Sequence, residues 1–241
     1  MSKSEATIEE LVSKIERGEL RLPEMQRQYV WRSTRVRDLL DSLYRGFPSG
    51  AILLWETDEA VPQRDFAISQ GINPYRSTCL LLDGQQRLTS LSAVIRGQPV
   101  SVRGKSHPIE ILFNLEHPEQ GPVTEVDELG SDEEEDETKP IGDEDEADST
   151  EDELLNRLNR MTFVVATRKL EQLPQWVKVS DVFKTDDDAP FFERANVNSF
   201  KDPRYVKYQK LEPLSNYHCR TSNIGHLEIC KICDTPDNTP S

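Results

Sequence analysis

The stretch Thr78-Cys79-Leu80-Leu81-Leu82-Asp83-Gly84-Gln85-Gln86-Arg87-Leu88-Thr89-Ser90-Leu91 constrains the fold more than any other part of the chain. Its opening apolar run has the length and composition of a strand buried on both faces. Beyond Asp83-Gly84, apolar residues recur at Leu88, Leu91 and Ile95, on one face of a helix closed by Gly97. The segment reads strand, tight turn, helix. Its turn gathers Asp, Gly, amide and guanidinium groups in an otherwise apolar neighbourhood. A helix start presents unpaired N–H groups and the positive end of the dipole, which suits an anion. Gly84 would let the backbone approach a phosphate, and Arg87, in the first turn, could grip it bidentately. Asp83 could orient a free or metal-bound water, or it could simply cap the helix, with Arg87 a surface residue. The residues alone leave both readings open.

Upstream, Thr7 and Glu10 form a capping box, and Ile8, Leu11, Val12 and Ile15 make one apolar face ending at Gly18. In Leu22-Pro23-Glu24-Met25-Gln26-Arg27-Gln28-Tyr29-Val30-Trp31, Pro23 argues against helix. Gln26 and Arg27 beside Tyr29 and Trp31 could hold a planar anionic ligand, or the two aromatics could pack on the core. Ser33 or Thr34 is the expected cap of a second helix, with Val36, Leu39, Leu40 and Leu43 inward. Arg32, Arg35, Arg37 and Arg45 on or near that helix are the DNA-contact candidates, set against an ordinary solvated surface. Ala51–Trp55 is a second buried strand, and residues 57–76 are a polar connection.

Charge bears on partners. The formal net charge is −15, which opposes a nonspecific nucleic-acid coat. However, Glu125–Glu153 carries seventeen carboxylates against Lys139 alone, whereas residues 1–120 hold sixteen acids and fifteen bases. The near-neutral remainder keeps DNA binding open. The acidic run repels itself and cannot bury a core, so 121–153 is expected to be a disordered insertion, or alternatively a DNA-mimicking arm. No run reaches the roughly 20 apolar residues of a membrane span, and no signal-peptide pattern opens the chain, so a cytoplasmic protein is expected.

Three segments, in order, carry a resemblance: Pro23 through Gln26-Arg27 to Tyr29-Val30-Trp31; Ser42-Leu43-Tyr44-Arg45-Gly46-Phe47-Pro48-Ser49-Gly50-Ala51-Ile52-Leu53-Leu54-Trp55; and Leu82-Asp83-Gly84-Gln85-Gln86-Arg87-Leu88-Thr89-Ser90-Leu91. Together they resemble the N-terminal domain of GmrSD-type modification-dependent (type IV) restriction endonucleases. That resemblance implies an α+β, ParB/sulfiredoxin-like mixed sheet with flanking helices over residues 1–183. It also implies a phage-defence module that binds and hydrolyses a nucleoside triphosphate (GTP, UTP or ATP) with Mg²⁺, coupled to a separate nuclease domain or subunit that cuts modified DNA. Asp83, Gln85, Gln86 and Arg87 would then be catalytic, with Gly84, Gln26, Arg27 and Tyr29 in the nucleotide pocket or touching modified DNA. A sensor without hydrolysis, or an inactive remnant, are the alternatives.

Strands are expected at Ile109–Leu115, Met161–Thr167 and Trp176–Val179, with a short helix at 154–158. Residues 184–241 look atypical, with one helix at Tyr205–Leu211 and neither the family's later pocket motif nor a His-Asn-His-type nuclease motif. Cys219, His226, Cys230 and Cys233 are a weak zinc pattern, since a second CxxC is missing. Cys79, alone in an apolar strand, reads as a small buried hydrophobe.

Overall fold

The structure is a computed structural model that describes residues 2–47, 50–57, 61–72, 78–102, 105–119, 151–185, 187–211 and 227–233. The chain begins with β1 (Ser2–Ala6) and α1 (Ile8–Glu16). Thr7 caps α1 through the expected reciprocal box with Glu10, and Ile8, Leu11, Val12 and Ile15 are buried as their spacing predicts. A strand not foreseen, β2 (Leu20–Pro23), follows, and then α2 (Ser33–Tyr44). Arg32, not Ser33 or Thr34, occupies the N-cap of α2, without a side-chain capping bond. The next elements are β3 (Ala51–Thr57), the short β4 (Gln63–Arg64), β5 (Thr78–Asp83) and α3 (Gln85–Arg96).

A hairpin of β6 (Val100–Val102) and β7 (Lys105–His107) leads to β8 (Ile111–Asn114). The bulk of the acidic run falls outside the described residues, but Glu151, Asp152 and Glu153 belong to α4 (Glu151–Leu158), so the helix starts earlier than the charge pattern suggested. Then come β9 (Phe163–Val165), α5 (Arg168–Glu171), β10 (Trp176–Lys178) and α6 (Val179–Lys184). The C-terminal part holds α7 (Ala189–Arg194), α8 (Pro203–Leu211) and β11 (Leu227–Cys233).

The architecture is mixed α+β. Six strands form one sheet in the order β1-β11-β3-β5-β2-β4, with β5 antiparallel to β3 and parallel to β2. Leu80 and Leu81, on opposite faces of this interior strand, are both buried, and Leu81 is the one that joins the main core. Strand β11 lies parallel to β3 and antiparallel to β1. The segment that looked atypical in sequence thus completes the sheet opened by the N-terminus. A second, antiparallel sheet has the order β10-β8-β9.

Helix α3 is the hub. It packs against α1, α2, α6 and β6, and every residue from Gln85 to Ile95 except Arg87 is buried. At its C-terminal end Arg96 bonds Glu16 at 2.7 Å and Glu9 at 3.0 Å, tying it to α1. Tyr44 of α2 meets Phe113 at 5.3 Å and Phe163 at 5.8 Å, which joins the first half of the chain to the second sheet. The Tyr44 hydroxyl also reaches His117 Nε2 at 3.1 Å, and burial pushes the His117 ring below the ordinary imidazole range. Among the described residues no helix is long and apolar enough to cross a membrane.

Candidate functional site

Strand β5 delivers Asp83 at its end, and a single residue, Gly84, turns the chain into α3. Gly84 has φ +95° and is the N-cap, so Asp83 is not the cap. The need for glycine is steric on two counts. Few L side chains tolerate that φ, and a Cβ there would stand 2.3 Å from Ile52 Cδ1 of β3. No side chain caps α3, so the amides of its first turn lack partners from capping or from the helix itself.

These residues open onto a cleft of about 290 Å³ lined by Gln26, Arg27, Trp31, Leu82, Asp83, Gly84, Gln85, Gln86 and Arg87. The fold therefore brings together two of the sequence segments, the 26–31 loop and the Asp83–Arg87 turn, which are more than fifty residues apart in the chain. Their side chains have different circumstances. Asp83 is largely exposed, at 72%, and its Oδ2 accepts from Arg87 Nη2 at 3.2 Å. Arg87 is mostly covered; its Nη2 also donates to the Ala51 carbonyl at 2.7 Å. One guanidinium thus joins the end of β5, the start of β3 and the first turn of α3. A Cβ on Gly50 would lie 2.5 Å from Arg87 Nη1, so Gly50 makes room for this arginine.

Gln85 is 7% exposed, lines the cleft, and makes no side-chain hydrogen bond among the described residues. Gln86 is buried too, and its amide is engaged at both ends: Oε1 accepts from Val30 N at 2.9 Å, and Nε2 donates to Gln28 O at 3.0 Å. Gln26 Nε2 donates to Leu81 O at 2.5 Å and Leu82 O at 3.0 Å, while its Oε1 is buried without a partner among the described residues.

Tyr29 is not in the cleft lining. Its side chain is buried in the core and its hydroxyl lies 2.7 Å from Ser90 Oγ, which itself donates to the Gln86 carbonyl at 2.8 Å. Burial pushes its phenol up to about 12. Of the two aromatics, Trp31 is the one that faces the cleft. Its place beside Tyr29 in an aromatic-polar stretch was the available signal, but only the backbone path of the loop separates their fates.

The arginine set divides as well. Arg37 pairs with Asp38 at 2.7 Å, and Arg45 with Asp41 at 2.8 Å and Thr162 Oγ1 at 3.1 Å, so both guanidiniums are engaged within the fold. Arg27, Arg32 and Arg35 are exposed and have no side-chain hydrogen bond or ion pair among the described residues. Cys230 and Cys233 lie in β11, where an extended backbone sets residues three apart about 10 Å from each other. Cys219 and His226 fall outside the described residues. Among the described residues no group of three or more His, Cys, Asp or Glu is placed to hold a metal ion. Cys79 is a half-buried thiol, in no disulfide among the described residues, packed against the main core.

The site is thus a polar junction in a mixed α+β domain, where an interior strand ends at a helix without a side-chain cap and amides and a guanidinium gather around the turn. Residues 8–210 match the family described as GmrSD restriction endonuclease, N-terminal domain, and the chain belongs to that family. It is also 31% identical over 113 residues to an uncharacterized protein of Methanocaldococcus jannaschii, a span covering 44% of this chain and 20% of that protein. The chain therefore corresponds to about a fifth of the length of that relative.

Proposed function

We propose that the cleft binds the phosphates of a nucleoside triphosphate and promotes its hydrolysis, as the nucleotide-handling module of a modification-dependent restriction system. Membership in an endonuclease N-terminal family supports a role in a restriction system, with cutting left to a separate nuclease domain or subunit. The observation that carries the nucleotide reading is the start of α3 itself: no side chain caps it, and Gln85 in its first turn lines the cleft without a side-chain hydrogen bond among the described residues. A buried polar group without a partner costs about 1–3 kcal/mol, and a ligand that supplies the partner removes that cost. Gln26 Oε1 is such a group among the described residues in the same wall, an acceptor that a ribose hydroxyl or a base N–H, and not a phosphate oxygen, would satisfy.

In this reading the first-turn amides of α3 take phosphate oxygens, assisted by the exposed Arg27. Trp31 offers an aromatic face to the base. Gln85 is placed to orient the attacking water. The mixed six-stranded sheet supports the ParB/sulfiredoxin-like assignment that the sequence resemblance implies. Asp83, an exposed carboxylate in the cleft lining, would be the residue to hold Mg²⁺. The ion would supply neutralisation of developing phosphoryl charge.

The test is binding of GTP, UTP and ATP with Mg²⁺ to wild type and Asp83→Ala, followed by phosphate release from the same samples. Binding with release, both lost in the variant, is expected. Binding without release leaves a sensor that waits for its partner. A wild-type protein that binds none of the three overturns the reading.

A second reading, contact with modified DNA, is favoured by Arg27, Arg32 and Arg35, which stay exposed and without side-chain partners among the described residues in a chain of charge −15. It predicts salt-sensitive binding whose log–log slope falls by about one for each of Arg32→Ala and Arg35→Ala. The same slope in wild type and both variants would remove DNA from this surface, and Arg37→Ala is expected to leave it unchanged.

A further inference from the structure

Residues 24–32 form no helix or strand, yet the fold spends hydrogen bonds on nearly every position between 26 and 30. Gln26 reaches two carbonyls of β5, the Arg27 carbonyl accepts from Arg64 Nη2, and the Tyr29 hydroxyl meets Ser90 of α3. The centre of this arrangement is Gln86. Its amide accepts from the Val30 N–H at 2.9 Å and donates to the Gln28 carbonyl at 3.0 Å. A side-chain amide used this way acts as the edge of a neighbouring strand would, satisfying a donor and an acceptor two residues apart on one chain.

Both ends of the Gln86 amide are therefore held by backbone, which fixes the side chain's orientation with one N–H and one lone pair left over. We infer that Gln86 is a positioning residue: it locks the 26–31 loop onto the first turn of α3, and so fixes Arg27 and Trp31 as one wall of the cleft while the amides of α3 form the other. This rests on the cleft being a nucleotide-phosphate site. It assigns the two adjacent glutamines different work. Gln85 faces the ligand, whereas Gln86 builds the wall that the base and the outer phosphates lean on. Interactions that a site holds in place before the ligand arrives need not be ordered during binding, which is where the affinity is gained.

The experiment uses Gln86→Met, which keeps the volume and removes both hydrogen bonds, and Gln86→Glu, which keeps the acceptor for Val30 but cannot donate to Gln28. Backbone hydrogen exchange is measured first, without ligand. The Val30 amide should lose protection by about tenfold or more in Gln86→Met and hold it better in Gln86→Glu, with Leu91–Ile95 unchanged in both. Affinities for Mg²⁺-nucleoside triphosphate and Mg²⁺-tripolyphosphate are then compared. The nucleotide should weaken about tenfold or more in Gln86→Met, and tripolyphosphate, which needs mainly the α3 amides, by less than about threefold. In a Trp31→Ala background, Gln86→Met should cost much less, because the wall it positions has already lost its aromatic face.

Retained Val30 protection would overturn the clasp. Lost protection with unchanged nucleotide affinity would overturn the positioning role. Equal weakening of nucleotide and tripolyphosphate would make Gln86 merely structural, and also overturns it. Should wild type bind neither ligand, the nucleotide reading fails and takes this role with it, while the exchange data still report separately on the clasp.

Discussion

Gly84→Val is expected to cost the protein about 3–5 kcal/mol, enough to remove much of the 5–15 kcal/mol typical of a folded domain. Two effects combine. At φ +95° a β-branched residue is strained by about 1–3 kcal/mol. Its Cβ would also stand 2.3 Å from Ile52 Cδ1, and overpacking of that kind typically costs about 1–3 kcal/mol. Ile52 is fully buried in β3, so it has little room to withdraw. For a chain of this size the melting temperature should fall by roughly 2–4 °C per kcal/mol, or on the order of 10 °C in all. The measurement is a urea or thermal midpoint on wild type, Gly84→Ala, Gly84→Val and Gly84→Ala with Ile52→Val. The double variant should recover part of the packing loss and none of the backbone strain. A wild-type midpoint for Gly84→Val would show that the turn is built differently.

Arg87→Ala is expected to weaken triphosphate binding by about a hundredfold, close to the 2.7 kcal/mol that two decades of affinity represent. The guanidinium does two jobs at the junction. It adds positive charge at the helix start while holding the Asp83 carboxylate in place, and it joins that turn to the Ala51 carbonyl. Stability should fall by only about 1–2 kcal/mol, since Asp83 is 72% exposed and solvent screens the ion pair. Arg87→Lys should restore a good part of the affinity through charge but not the bridge, because an ammonium lacks the planar fork. Isothermal titration with Mg²⁺-triphosphate separates these effects from folding. Affinity in Arg87→Ala equal to wild type would exclude Arg87 from the ligand's surroundings.

Several elements were legible because their signals are local. The Thr7–Glu10 box and the Ile8, Leu11, Val12, Ile15 stripe mark α1, and the apolar runs mark β3 and β5. Where hydrogen-bonding partners are distant, the pattern was silent. Strands β2, β4 and β11 exist by pairing with chain tens to hundreds of residues away, and short segments such as Leu20–Pro23 carry no period long enough to declare themselves. The same applied to side chains. Tyr29 and Trp31 look alike in sequence, and an extended chain would put both on one side, but the irregular path of the loop sends Tyr29 to Ser90 in the core and Trp31 to the cleft. Arg37 and Arg45 differ from Arg32 and Arg35 in their partners: the adjacent Asp38 for Arg37, and for Arg45 both Asp41 one helical turn away and the distant Thr162.

The sequence by itself determined a strand–Gly–helix junction carrying Asp83, Gln85, Gln86 and Arg87, because apolar run, glycine and helical spacing are properties of contiguous residues. Tertiary structure decided what each of those groups does. Gln86 turns to the backbone of the 26–31 loop, Gln85 faces the cleft, and Arg87 bridges to Ala51, since each choice depends on which distant main-chain donor or acceptor comes within about 3 Å. Hydrogen bonds are short-ranged and directional, so partners brought together across fifty residues of chain are set by packing of the whole sheet and its helices.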